Sequence, residues 1–140
     1  MKVFVSGTYD ILHAGHVQFF KEAKALGDYL VVSFCSGKNL ELYKGRKSCI
    51  PDDNKKVLLE SIRYIDKVYI GDDNGGIWDF VSAFLLEKPD ILAVTEDDKY
   101  SEEKRIFCKE HEVMFVILPK TPPMATSVST SSIIKKILES

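Results

Sequence analysis

The chain has 140 residues, 45% of them hydrophobic, which suffices for one domain with a buried core. Its formal net charge of −2 at pH 7 provides no global positive field, so nucleic acid is not an expected partner, while a local phosphate site stays open. No apolar run approaches the roughly 18 residues of a membrane span, and no secretory leader pattern is present, so a cytoplasmic protein without membrane association is expected.

The predicted elements alternate along the chain. "KVFVS" at 2–6 reads as a strand, followed by a helix over 14–27 in which Val17, Phe20, Ala23 and Lys24 recur at helical spacing. Gly27 is expected to end that helix, and "YLVVSFC" at 29–35 is continuously apolar, as a strand buried on both faces should be. A polar connection at 36–51 carries Lys38, Lys44, Arg46 and Lys47. A helix over 52–64 follows, with Pro51 before it and Asp52 and Asp53 in its first turn. Next come a strand at 67–71, a helix at 76–87, a strand at 90–95, a helix at 101–111 and a strand at 113–119. A Pro/Thr/Ser stretch at 119–132 leads into the final helix, "SIIKKILE".

Strands alternating with helices imply right-handed parallel crossovers. The expected fold is therefore α/β: a single doubly wound, five-stranded parallel sheet with helices on both faces, Rossmann-like, in one domain spanning 1–140. Cys35, Cys49 and Cys108 are odd in number, far apart and form no CxxC, which excludes thioredoxin-like redox chemistry and a thiolate zinc site. Three reduced thiols are expected, Cys35 serving as a small core hydrophobe at a strand end.

Ligands of such sheets bind at the carboxyl ends of the strands, near the point where strand order reverses. The first strand empties there into "GTYDILHAGH". With a helix starting near His13, His13 and His16 stand one turn apart on one face and can both donate to an anion, joined by the free amides of the helix start. Gly7 lets the chain turn tightly and approach a ligand, and Gly15 leaves the space between the histidines open. A capped helix start with two surface histidines is the plainer reading of the pair alone, and a metal site lacks a third ligand nearby.

Taken as a unit, "GTYDILHAGH" resembles the GxFDxxHxGH element of the cytidylyltransferase-like nucleotidyltransferases, with Tyr9 where Phe is commoner. The resemblance continues through "AKALGDYLVVSF", "YKGRKSCIPDDNKKVLLESIRYIDKVYIG", "PDILAVTEDDKY" and the closing "TSVSTSSIIKKI". In pattern the chain is most similar to glycerol-3-phosphate cytidylyltransferases; heptose-phosphate adenylyltransferases and archaeal FAD synthetases share the frame.

The resemblance implies a reaction in which an acceptor phosphate attacks the α-phosphorus of a nucleoside triphosphate and pyrophosphate leaves. It assigns His13, His16 and Lys44 to catalysis, with Arg46 or Lys47 as substitutes for the lysine. It assigns Gly7, Thr8, Tyr9, Asp10, Gly15, Asp97, Ser127, Ser129, Thr130 and Ser131 to nucleotide binding. Mg²⁺ accompanies the triphosphate, with Asp10 as its contact, direct or through water. Arg63 is placed near a homodimer interface. The expected substrates are CTP and a small phosphorylated acceptor, giving a CDP-activated polyol, sugar or alcohol. The alternatives are adenylyl transfer from ATP to a sugar phosphate such as heptose 1-phosphate, FAD synthesis, and a non-catalytic nucleotide-binding regulator.

Two departures from the family pattern stand close to these ligands. Relatives read Arg-Thr-x-Gly before their Ile-Ser-Thr, whereas this chain reads "PKTPPMATSVSTS". Simple register puts Met124 in place of the arginine and Ser127 in place of the glycine; alternatively Lys120-Thr121 is the displaced pair, with extra residues after it. Lysine is the poorer bidentate partner for phosphate. The second departure is Glu96, where the family's turn begins with glycine.

Overall fold

The computed structural model describes all of residues 1–140. Five strands, β1 (Lys2–Gly7), β2 (Tyr29–Phe34), β3 (Lys67–Ile70), β4 (Ile91–Thr95) and β5 (Met114–Leu118), form one parallel sheet in the order β3-β2-β1-β4-β5. Six helices connect or follow them: α1 (Ala14–Ala25), α2 (Gly37–Lys44), α3 (Asp52–Glu60), α4 (Val81–Glu87), α5 (Ser101–Glu110) and α6 (Thr130–Glu139). No helix is long and apolar enough to cross a membrane.

Strand periodicity explains why both faces are covered. Val3, Val5, Leu30, Val32, Ile91 and Ala93 point to one face and pack with Phe20 and Ala23 of α1 and Leu59 of α3. Their neighbours Phe4, Val31 and Leu92 point to the other, against Phe80, Ala83, Phe84 and Cys108 under α4 and α5. The expected doubly wound α/β sheet is what the chain forms.

Several boundaries differ from the sequence reading, each for a local reason. The connection at 36–51 contains α2, whose first turn is capped by Ser36 Oγ accepting from the Asn39 amide at 3.0 Å and which ends on Gly45 in the left-handed region, φ 68°. The helix expected at 76–87 is two pieces, a 3-10 turn over Ile77–Phe80 and then α4. The helix expected over 52–64 stops at Glu60. Gly27 lies beyond the end of α1, and its glycine serves a close approach: a Cβ there would lie 2.2 Å from the Met1 carbonyl oxygen.

The feature that positions the site is the seam at which strand order reverses. β1 pairs with β4 only through Val3–Ile91 and Phe4–Leu92, and the two strands then part. Their separated carboxyl ends leave a crevice floored by Ser6, Gly7, Val94 and Thr95.

Candidate active site

This crevice is a cavity of about 520 Å³, walled by the turn after β1, the start of α1, the turn after β4, the segment after β5 and the start of α6. His13 and His16 both line it. His13 is the N-cap of α1: its Nδ1 accepts from the Gly15 amide at 3.2 Å, while the His16 Nδ1 accepts from the His13 amide at 3.3 Å. A neutral imidazole whose Nδ1 accepts carries its proton on Nε2. The capping box thus fixes both rings in the tautomer that leaves an Nε2–H donor free. The rings lie 4.0 Å apart between centroids. Gly15 is required between them, since a Cβ there would come within 2.9 Å of the His13 ring.

Burial, followed by the positive charge of Lys120, holds the His13 pKa below its ordinary value. His16 is pushed down to about 4 by burial first, then by His13 and Lys120. Near neutral pH both rings are therefore uncharged donors. Tyr9 backs them: it is buried with a left-handed backbone (φ 47°), and its ring packs edge-on against His16 and Phe20 at 5.5 and 5.0 Å. Gly7 makes room for that ring, because a Cβ at Gly7 would fall 2.6 Å from the Tyr9 Cζ. The glycine's close approach is thus to Tyr9 as well as to the cavity.

Asp10 faces the other way. Its buried carboxylate accepts from Arg46 Nη1 and Ser48 Oγ, each at 2.7 Å, and from the amides of Cys49 at 2.9 Å and Ile50 at 3.3 Å. Lys55 Nζ stands 3.7 Å from it. Burial pushes the Asp10 pKa up, but the hydrogen bonds from Ser48, Arg46 and Cys49 and the charge of Lys55 outweigh it and hold the group well below the usual carboxylate range. Asp10, expected as a metal contact, has a side chain that is 0% exposed and oxygens that accept from the loop at 46–50.

On the rim, Lys120 Nζ donates to Asp97 at 2.9 Å and the Lys120 amide donates to Glu96 Oε1 at 2.9 Å. Asp97 also accepts from Thr95 Oγ1 at 2.5 Å. The carboxylate at Glu96 thus ties the turn after β4 to the segment after β5, a link that glycine could not make. Ser127, Ser129 and Thr130 line the cavity at the head of α6. Ser129 Oγ caps the helix by accepting from the Ser132 amide at 3.0 Å, which leaves the amides of Thr130 and Ser131 without intrahelical partners. Thr130 Oγ1 donates to the Ile11 carbonyl at 3.2 Å, fastening α6 to the histidine turn.

Residues 4–136 match the cytidylyltransferase-like family. The chain belongs to that family. It is 34% identical to the FAD synthase of Thermococcus kodakarensis, over 99% of this chain and 93% of that protein. It is 32% identical to the FAD synthase of Archaeoglobus fulgidus, over 96% and 95% respectively. Among solved structures it superposes on the lipopolysaccharide core biosynthesis protein of Thermoplasma volcanium with a TM-score of 0.72 and 25% identity, over 85% of this chain and 94% of that one. Pantothenate synthetase from Thermus thermophilus shares the fold at a TM-score of 0.62.

Against the family pattern, the structure gathers His13, His16, Gly7, Tyr9, Gly15, Asp97, Ser127, Ser129, Thr130 and Lys120 around one cavity. Others stand apart. Thr8 is not in its lining, and its carbonyl accepts from Lys55. Ser131 and Arg46 border a neighbouring groove that shares Thr130 with the main cavity. Lys44 is the last residue of α2, exposed, with its ammonium over the Tyr43 ring and outside both linings. Arg63 precedes β3, at the opposite end of the strands from the cavity, and donates to the Tyr64 hydroxyl at 2.8 Å. Of the two registers for the missing arginine, the cavity contains Lys120 and Thr121 and leaves out Met124, which is 100% exposed.

Lys55 is the residue that sequence reasoning missed. A lysine in the first turn of a polar helix reads as solvated. The available signal was its spacing: Lys55 stands one turn before the buried Leu59, on the face that α3 turns inward.

Proposed function

We propose that the chain transfers the adenylyl group of ATP to FMN, giving FAD and pyrophosphate. The observation that carries the proposal is similarity over almost the whole chain to proteins named FAD synthase, in a chain whose two histidines are bonded into donor form beside a cavity. The two relatives support this alternative over transfer from CTP to a glycerol 3-phosphate-like acceptor, and over a regulator without turnover.

In this reading an oxygen of the FMN phosphate attacks the α-phosphorus of ATP. The bond from that phosphorus to the bridging oxygen breaks, and the electron pair leaves with pyrophosphate. The attacking monoester is largely dianionic at neutral pH, its second pKa being about 6, so no strong general base is required. What remains is orientation and stabilisation of spreading charge. His13 and His16 supply Nε2–H donors. The free amides at the head of α6 receive the β- and γ-phosphates. Lys120 covers the phosphates in place of the family's arginine, and Arg46 reaches across from the adjoining groove. Mg²⁺ enters as part of the substrate, neutralising triphosphate charge. The chain's residues fit that role: Asp10 is fully engaged, Asp97 and Asp98 accept from Lys120 and Lys104, and no group of three His, Cys, Asp or Glu side chains is arranged to hold a metal. The homodimer belongs to the same proposal and is read by sedimentation.

The test is pyrophosphate release from ATP and from CTP with FMN, glycerol 3-phosphate and heptose 1-phosphate, coupled to product identification. Turnover with ATP and FMN that yields FAD is expected. Turnover with CTP and an alcohol phosphate, and none with ATP and FMN, would overturn the assignment. Nucleotide binding with no turnover from any pair would establish the regulator.

A further inference from the structure

A charge that touches no substrate lies beneath the histidine turn. Lys55 is 1% exposed, and its ammonium donates to the carbonyls of the residues just beyond β1 and β2, Thr8 at 3.3 Å and Cys35 at 3.4 Å. It stands over the Phe34 ring and 3.7 Å from Asp10 Oδ1. Three charged groups therefore meet in a row. The Lys55 and Asp10 side chains are sealed at 1% and 0% exposure, while Arg46, on the far side of Asp10, remains 39% exposed and borders the groove beside Thr130 and Ser131.

The order of these charges matters. A carboxylate buried alone beside one arginine would form a closed neutral pair, and the arginine's charge would be spent on it. With Lys55 compensating Asp10 from below, the trio keeps one net positive charge, and the only member that reaches solvent is Arg46. We infer that Lys55 is a positioning residue for the transfer reaction: it neutralises Asp10 so that Asp10 can aim Arg46 at a substrate phosphate without consuming its charge. The same contact locks the turn that carries His13 to the loop at 46–50, since Asp10 binds Ser48 Oγ and the Cys49 amide as well. This inference rests on the nucleotidyl-transfer reading of the site and adds to it a residue outside the cavity.

The experiment measures dissociation constants for Mg²⁺–ATP by calorimetry and for FMN by fluorescence quenching, with kcat alongside. Lys55→Met should weaken binding of the phosphate-bearing partner that Arg46 serves by on the order of tenfold, the scale of one charge-assisted contact. Lys55→Arg should restore it. The double change Asp10→Asn with Lys55→Met removes both buried charges together, and it should recover most of the lost affinity because the amide oxygen still accepts from Arg46 without neutralising its charge. In an Arg46→Met background, Lys55→Met should add no further loss. A variant that merely loosened the fold would show neither the recovery nor the non-additivity. Unchanged binding in Lys55→Met, or equal loss in Lys55→Met and in the double variant with unchanged melting, would overturn the inference. Should Lys55→Met fail to fold, the neutral double variant decides alone: affinity as poor as that of Arg46→Met would overturn it. If ATP binds but no FAD forms, the acceptor assignment falls while the Lys55 comparison still stands on ATP.

Discussion

The turn from Gly7 to His16 and the segment from Pro119 to Ser129 face each other across the cavity, and they are built in opposite ways. The turn is held at most of its polar groups: His13 and His16 close a capping box, Tyr9 is buried beneath them, and Asp10 accepts from four donors of the loop at 46–50. The segment has no regular structure, is largely exposed, and its one internal backbone bond is Thr121 to Pro119 at 2.9 Å. It is fastened by three contacts, the Lys120 ammonium on Asp97, the Lys120 amide on Glu96 and the Thr121 hydroxyl on Glu22, each at 2.9 Å. Donors fixed before the reaction stabilise developing charge without reorganisation, which suits the turn to the transfer step. A wall held by a few exposed contacts can adjust to what it binds, which suits the segment to recognition.

The largest effect should come from removing a donor on the rigid side. His16→Ala should reduce kcat by on the order of 10²–10³, the effect of deleting one preorganised donor, read in the pyrophosphate-release assay. On the adaptable side the effect should be smaller and of another kind. Lys120→Ala should raise KM for the triphosphate by about tenfold with little change in kcat, because the contact serves ground state and transition state alike. Lys120→Arg should lower KM, since a guanidinium grips phosphate bidentately. If Lys120→Ala lowers kcat as far as His16→Ala does, the division between the two walls fails.

Smaller effects test how the turn is held. Gly7→Ala forces a methyl into the Tyr9 ring and should cost about 1–3 kcal/mol in urea denaturation, the usual penalty for overpacking. The depressed pKa of His16 makes a prediction about pH. The unfolded chain takes up its proton near pH 6.5, the folded chain only near 4, so the unfolded state binds more protons between those values. Wild-type stability should thus fall relative to His16→Asn as pH drops from 6.5 toward 4, by about 1–2 kcal/mol after solvent screening. A constant difference across that window would contradict the buried, neutral ring.

What the sequence disclosed and what it concealed follow the same physical line. "GTYDILHAGH" was legible because its chemistry is local: a strand, a cap and two histidines at helical spacing specify one another within a few residues. The parallel sheet was legible because period-2 and period-3.6 patterns alternate cleanly. The surroundings of Asp10 were hidden because they come from Arg46, Ser48, Cys49 and Lys55, which only the folded chain brings beside it. The helix α2 was hidden by its polarity; Leu40 and Asn39 are its only buried residues. The arginine replaced in "PKTPPMATSVSTS" had two registers open because nothing local in the sequence says which residues face the cavity, where Lys120 and Ser127 stand and Met124 does not.

The proposed transfer depends most directly on both histidines being neutral Nε2–H donors before any substrate binds. Nitrogen chemical shifts of the ¹⁵N-labelled protein at pH 7 read this ring by ring. Two imidazoles protonated at Nε2 only, with Nδ1 shifts of hydrogen-bonded acceptors, are expected. A charged ring at His16, or a proton on Nδ1 of either histidine, would contradict it.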